Sequence, residues 1–447
     1  MYRRAFTLLL LAGCAHYTPR PLDLAATSAT YAVRSLDDTL LARALTGAGA
    51  PAEWNAYRLA EAAWWLRAER ARSDAEVRVA EAALITAGAR PDPGAGVNVE
   101  RSFSGRDGSS PWGIGAGPSF TVELGGKRQA RQERARAAVV AAHAAQASEA
   151  RMLRGRVHAA ALGLTLATRA RERSESRAAL FDTLLSGIRR RFEDGALPRL
   201  EVARAEQERQ DVQIEVLHRR RDTELAAADL ATAVGIPPEA LASIPVHLGT
   251  TPTCRGALGD GRDSLRTRAL TQRPELGAAL AAYLGAEADV RSEVANSWPD
   301  LVLGPGLLFD HGVGKWTIGF GLPALAFNRR RGPIAEAEAR RAVAGTQVVE
   351  MQQRILLEVD SAVALCRAAE AESAALEPMY ASTAERASVS REAYLRGETG
   401  ALEVSQARLL ALGAIEEREA ALARVALAAL AVEEVSGDWR PSQEGEE

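Results

Sequence analysis

The chain is short of nearly every residue type that builds a reactive site. Its 447 residues include three cysteines and six histidines. His16, His143, His158, His218, His247 and His311 are scattered, without metal-ligand spacing or a Cys/His cluster. His143 and His158 lie fifteen positions apart on one helical stretch, so their side chains cannot meet. No Gly-x-Ser-x-Gly, phosphate-binding loop or dinucleotide fingerprint is present. An enzymatic reading, such as a periplasmic hydrolase, therefore has no residue to rest on, and no cofactor or metal is implied. Charge of one sign is lacking too: the net charge is −3, which gives no global basic field for nucleic acid. The many Glu and Asp fall in charge-rich helical segments, where they belong on solvated faces. Long apolar runs are missing as well, because each one is soon broken by Arg or Glu. If this chain enters a bilayer with its backbone, it must do so as β-strands.

What is present begins at the N-terminus. Arg3 and Arg4 precede a short apolar run from Ala5 to Ala12. A membrane-spanning helix needs about 20 apolar residues, so the run reads as a signal peptide over residues 1–13. It ends in Leu11-Ala12-Gly13-Cys14, which resembles the lipobox of bacterial lipoproteins. That resemblance implies lipidation of Cys14, with removal of the preceding peptide and acylation of the new N-terminus. Several acyl chains, palmitate among them, make a stable anchor where one is marginal. Ala15 in place of Asp implies an outer-membrane address. An ordinary signal peptide with a chance cysteine is the alternative. Cys254 and Cys366 remain in the mature chain; one disulfide is possible and no framework is implied. The favoured reading is two small buried apolar residues.

The chain repeats itself. Phe192-Glu193-Asp194-Gly195-Ala196-Leu197-Pro198-Arg199-Leu200-Glu201-Val202 aligns with Tyr394-Leu395-Arg396-Gly397-Glu398-Thr399-Gly400-Ala401-Leu402-Glu403-Val404, at an offset of 202. The same offset carries Ala205 onto Ala407 and Gly235 onto Gly437, and Gly126-Lys127-Arg128 onto Asn328-Arg329-Arg330. Upstream, Pro91-Asp92 matches Pro299-Asp300 at 208. The six extra residues fall at Gly105 to Pro111, as expected of a hairpin loop.

Within each copy the hydrophobic period switches. Val97, Val99, Arg101 and Phe103, then Ile114, Ala116, Phe120 and Val122, alternate as strands do. The second copy has Leu301, Leu303, Leu307 and Phe309, then Trp316, Ile318, Phe320 and Leu322, around Asp310-His311-Gly312. The hairpins occupy about 93–124 and 299–326. Trp112 and Trp316 are expected to open the return strands, either as an aromatic belt at a lipid boundary or as ordinary hairpin aromatics. A long helix follows each hairpin. From Lys127 to Arg191 there is no proline, and Leu153, Val157, Ala160 and Leu164 step by four, three and four, as do residues around Val348, Met351 and Ile355. Shorter helices are expected over about Ala52 to Ala87, Pro198 to Val234, Leu265 to Asn296 and Ala401 to Val435. Four strands cannot close a barrel in lipid, and open edges there cost several kcal/mol per unpaired backbone group, so other copies must complete it.

These features together resemble the TolC-type outer-membrane efflux family. They are the lipobox, the duplication, the strand-to-helix junction at Gly125 to Arg128, and the paired aromatic-x-x-Gly…Leu-acid-Val motifs. The similarity spans about Pro51 to Gly437. It implies an α+β, mainly α fold of two tandem strand-hairpin plus long-helix repeats, with a trimer forming a 12-stranded β-barrel continued by an α-helical barrel. The divisions expected are a signal peptide at 1–13, a lipid-anchored segment at 14–50, repeat 1 at 51–234, an equatorial linker at 235–262, repeat 2 at 263–437 and a tail at 438–447. The implied function is passive exit of substrates delivered by an inner-membrane pump through a periplasmic adaptor. The resemblance assigns adaptor docking to the tips Gly195, Ala196, Leu197, Gly397, Glu398 and Thr399. It assigns the pore constriction to Glu403, with its repeat partner Glu201; Gln406 stands where the family has a second acid. Lys127, Arg128 and Arg329 to Arg331 are either contacts to anionic lipid headgroups or a solvated basic cluster. The rival reading is a lipid-anchored periplasmic coiled-coil scaffold without a pore.

Overall fold

The computed structural model describes residues 17–46, 54–101, 103, 111–242, 252–259, 261–310, 313–322 and 330–437. The signal peptide, Cys14, His16, His247, His311 and most of the loop from Gly105 lie outside them. An N-terminal arm carries α1 (Leu24–Ala32) and α2 (Thr39–Thr46). Repeat 1 is α3 (Ala56–Leu66), α4 (Ala68–Gly88), β1 (Gly94–Arg101), β2 (Trp112–Val122), α5 (Lys127–Glu193) and α6 (Arg199–Val234). The connection carries α7 (Pro238–Ala242) and α8 (Cys254–Leu258). Repeat 2 is α9 (Arg262–Gln272), α10 (Pro274–Ala295), β3 (Leu301–Asp310), β4 (Val313–Gly321), α11 (Arg331–Leu395) and α12 (Ala401–Ser436).

The 202-residue register holds in the backbone. α6 and α12 are displaced by it end to end, and Gly195 and Gly397 take left-handed φ values of 73° and 75°. At 67 residues, α5 spans about 100 Å at about 1.5 Å per residue. The register slips at one junction. α5 is preceded by left-handed Gly126, whereas α11 is preceded by left-handed Arg330, two residues later than the offset places it. A non-glycine residue there costs about 1–2 kcal/mol. Two hydrogen bonds donated by the Arg330 guanidinium to Glu293 Oε2, at 2.6 and 3.2 Å, hold it.

Both leading helices are broken where the sequence suggested continuity. Arg67 (ψ 145°) separates α3 from α4, and Arg273 (ψ 120°) separates α9 from α10. Each arginine lies against the left-handed glycine that ends a return helix. A Cβ on Gly235 would stand 2.8 Å from Arg67 Cγ, and one on Gly437 2.9 Å from Arg273 Cγ. Arg67 also donates to the terminal carbonyls of α6, Thr232 O at 2.5 Å and Ala233 O at 3.2 Å. These are acceptors that a helix end leaves unpaired.

The strands form one antiparallel sheet in the order β1-β2-β3-β4, so the two hairpins join through β2 and β3. Trp112 opens β2, but Trp316 is the fourth residue of β4 rather than the first. Pairing of β2 with β3 lapses between Ala116↔Leu307 and Phe120↔Leu303 and resumes in the same register. Pro118 and Pro305 face each other in that gap, so neither leaves a donor orphaned by the other. Beside them a Cβ on Gly117 would lie 2.4 Å from Pro305 O, so only glycine allows this approach.

Below the sheet the helices pack in antiparallel pairs, α5 with α6 and α11 with α12, while α4 and α10 lie along the sheet-proximal halves of the long helices. One apolar cluster joins Leu36, Leu41, Trp54 and Leu59 to Leu153, Val157, Leu230 and Val234. A second joins Cys254, Leu265 and Ala269 to Ile355, Val359, Val363, Cys366 and Val432. The heptad-like steps at 153–164 and 348–355 thus face the two clusters. The two thiols are not free: Cys254 and Cys366 form a disulfide, Cα–Cα 5.6 Å, inside the second cluster. The favoured reading of two unpaired cysteines is corrected. Burial was read rightly, but packing brought two sulfurs 112 residues apart into one pocket.

Candidate functional site

Both ends of the molecule present surfaces without internal partners. At the helix tips the chain reverses through two identical hydrogen-bonded caps. Gly195 N–H donates to Phe192 O at 2.9 Å and Ala196 N–H to Arg191 O at 2.8 Å. Gly397 N–H donates to Tyr394 O at 2.9 Å and Glu398 N–H to Ala393 O at 2.9 Å. This double bond pattern closes a helix around a left-handed residue, which explains the glycine at each tip. Pro198 then precedes α6, where its missing N–H costs nothing. Gly195, Ala196, Gly397 and Glu398 are exposed, Leu197 and Thr399 half-buried. Around them Phe192, Leu200, Tyr394 and Leu395 expose apolar surface, Leu395 to 74%. The second tip is further held by Arg396, which donates to both carboxylate oxygens of Glu398 at 2.9 and 3.1 Å.

Glu403 and Glu201 begin the return helices but differ in company. Glu403 stands 3.9 Å from Arg191, across the boundary between repeats, whereas Glu201 pairs with Arg204 on its own helix at 3.0 Å. Both carboxylates are exposed or half-exposed within the single chain, and Gln406 is exposed one turn on. The Arg191–Glu403 pair is the lowest rung of a seam between α5 and α12. Going up come Arg177–Glu416 at 3.4 Å, Arg173–Glu419, and Arg151–Glu434 at 3.7 Å. Among the described residues every such rung has Arg on α5 and Glu on α12. Burial pushes the Glu416 carboxyl up from its ordinary range, and Glu215 adds to this, although Arg177 opposes it. Periodicity within one helix could not reveal this seam, because its partners are more than 200 residues apart.

Of the basic residues at the strand-to-helix junctions, Lys127, Arg128 and Arg330 are engaged internally, Arg331 is exposed, and Arg329 lies outside the described residues. Lys127 Nζ binds Asp300 at 2.6 Å, Arg128 Nε donates to Gly88 O at 2.7 Å, and Arg330 binds Glu293. At the opposite end from the tips, β1 and β4 form the sheet's edges, with no strand beyond them among the described residues. Val97 and Val99 on β1 and Trp316, Ile318 and Phe320 on β4 are more than half exposed. No described group of His, Cys, Asp and Glu side chains could hold a metal ion, and no described helix is long and apolar enough to cross a membrane.

The described residues thus place a sheet with two edge strands on helices near 100 Å long, tipped by paired glycine turns. The sequence profile of the outer membrane efflux protein family matches residues 55–236. No curated protein sequence matches the chain. The fold is similar to that of the outer membrane protein VceC of Vibrio cholerae: 21% identity, TM-score 0.67, 86% of this chain and 96% of that one covered. A membrane protein from Pseudomonas aeruginosa is similar at 19% identity and TM-score 0.69, with 96% and 100% covered. The MtrE outer membrane channel of Neisseria gonorrhoeae, in its open state, is similar at 19% and 0.66, with 86% and 89% covered. The family profile thus covers the first repeat, and over its described length the chain shares the fold of these outer-membrane proteins.

Proposed function

We propose that this chain is one third of an outer-membrane exit duct. Three copies pool their sheets into a twelve-stranded barrel, continued by their long helices as a periplasmic tunnel. The observation that carries this reading is the four-stranded sheet, whose two apolar edges have no partner strand among the described residues. In lipid such edges are tolerable only when another chain closes them. The duct is passive, and an inner-membrane pump supplies the energy through a periplasmic adaptor, so substrate choice rests with the pump. Lipid on Cys14 anchors each copy to the outer membrane. The division into a lipid-anchored segment, two repeats and an equatorial linker follows from the same reading.

The tips at Gly195 to Leu197 and Gly397 to Thr399 receive the adaptor. Their support is the exposed apolar rim beside two rigid turns. Glu403 forms the constriction, where a three-fold ring of carboxylates attracts cations; Glu201 is its counterpart in the first repeat. One experiment tests these parts together. Purified protein from the outer-membrane fraction is expected to run as a urea-resistant trimer and to give discrete single-channel steps in planar bilayers. Glu403→Ala is expected to weaken block by divalent cations, and Gly195→Glu with Gly397→Glu to abolish adaptor cross-linking in folded trimers. A periplasmic species without conductance would instead identify a coiled-coil scaffold. Unchanged block or unchanged cross-linking would remove the residue assignment concerned.

A further inference from the structure

The short helices ahead of the two repeats dock on different apolar clusters. In repeat 1, α2 is eight residues long, and its segment buries Leu36, Leu41 and Trp54 in the cluster around Val157 and Val234. Ahead of the leading helices of repeat 2, α8 has five residues; Cys254 is the one fully buried, and Ala257 and Leu258 pack half-buried on the second cluster. One buried and two half-buried side chains make a weak anchor, since stabilisation scales with apolar area removed from water. The cluster beneath α8 offers Cys366 on α11, and the two sulfurs are joined with both residues 0% exposed. The bond closes a loop that encloses α9, α10, the whole second strand hairpin and the first half of α11.

We propose that Cys254 and Cys366 are oxidised by exchange with a protein disulfide of the periplasm before α8 docks, and that the bond then anchors α8 to α11. This rests on the export reading above. One cysteine thiolate attacks the donor's disulfide, forming a mixed disulfide and releasing one donor thiolate. The second cysteine thiolate attacks the chain's sulfur in that mixed disulfide and expels the donor's other thiolate. Two protons leave the chain's thiols, and two electrons reduce the donor to a dithiol. A bulky donor needs an in-line approach to a sulfur, and in the folded protein neither sulfur is reachable. Oxidation therefore precedes docking, and the finished bond is shielded from reductants.

The test uses full-length protein from the outer-membrane fraction, alkylated in denaturant with a maleimide–polyethylene glycol. Wild type is expected to take no tag before reduction and two after it, and in a host without its periplasmic disulfide donor both thiols tag directly. That reduced protein, kept folded, is expected to resist oxidation by added donor until it is unfolded. Hydrogen–deuterium exchange then reads the anchor. In Cys254→Val/Cys366→Ala, which stays apolar, amides of α8 are expected to exchange about tenfold faster while α9 and α12 keep their protection. Free thiols in wild type, ready oxidation of the folded reduced protein, or unchanged exchange at α8 would each overturn the proposal. Conductance of the same preparation is read separately, so a closed staple without a pore, or a pore without a staple, tells the two readings apart.

Discussion

His158 is buried on α5 with its ring edge against Tyr57 of α3, centroids 4.6 Å apart. Its Nε2 has no hydrogen-bond partner. Burial, helped by nearby Arg154, lowers its pKa from 6.5 to about 4, so the imidazole is neutral in the folded chain. The unfolded chain takes up a proton below pH 6.5. Its stabilising effect is therefore complete above that value and is lost as pH falls from 6.5 towards 4, by about 2 kcal/mol between pH 7.5 and 5. Glu433 on α12, raised by burial, acts in the opposite sense, so the slope is best read as a difference. Thermal midpoints in detergent at pH 7.5 and 5.0 are expected to fall further for wild type than for His158→Leu. The glycines make a second comparison. Nothing lies within 4 Å of a Cβ on Gly195, so Gly195→Ala pays only the left-handed backbone term, about 1–2 kcal/mol. Gly235→Ala pays that and displaces Arg67 as well. Its midpoint is expected to drop at least twice as far.

Among the elements, the seam between α5 and α12 is the contact most exposed to salt and charge. Its rungs are only partly buried, Arg173 and Glu419 having 20% and 33% of their side chains exposed. Each rung is thus worth little alone, about 1 kcal/mol or less. Their common polarity matters more, because it fixes which helix of one repeat can lie beside which helix of the other. Arg173→Glu is expected to lower the unfolding midpoint, and adding Glu419→Arg to recover most of the loss. A double-mutant cycle would measure the coupling, and a coupling near zero would reduce the seam to coincidence. The disulfide is a stronger tie: closing a loop of 112 residues constrains the unfolded chain by about 4–5 kcal/mol in the chain-entropy account. In β2 and β3, the facing prolines show how central strands can tolerate residues that pattern reading confines to edges.

At the level of the whole molecule, the proposed duct ties membrane entry to assembly through the sheet's apolar edges. Ile318 on β4 is 61% exposed in the single chain. A lysine on the lipid face of a barrel costs about 2–4 kcal/mol near the bilayer midplane. Ile318→Lys is therefore expected to deplete the outer-membrane fraction while helical circular dichroism is retained. Full recovery of trimers in that fraction would place the residue away from lipid. Much of this plan is legible in the chain itself. The 202-residue offset, the change of period from strand to helix, and the tip glycines all follow from local rules, in which a residue's backbone preference acts over a few neighbours. The break at Arg67 has no helix-breaking residue beside it, whereas Arg273 precedes Pro274, which disfavours the helical conformation before it; each break also lies against a glycine over 160 residues away. The disulfide and the α5–α12 seam were hidden because their partners also lie far apart in the chain. Sequence alone determined the repeat, its hairpins, its long helices and its turns. Tertiary structure decided which sulfurs meet, which helix of one repeat lies against the other, and that the two hairpins join through β2 and β3. Those choices depend on long-range packing, which no local propensity encodes.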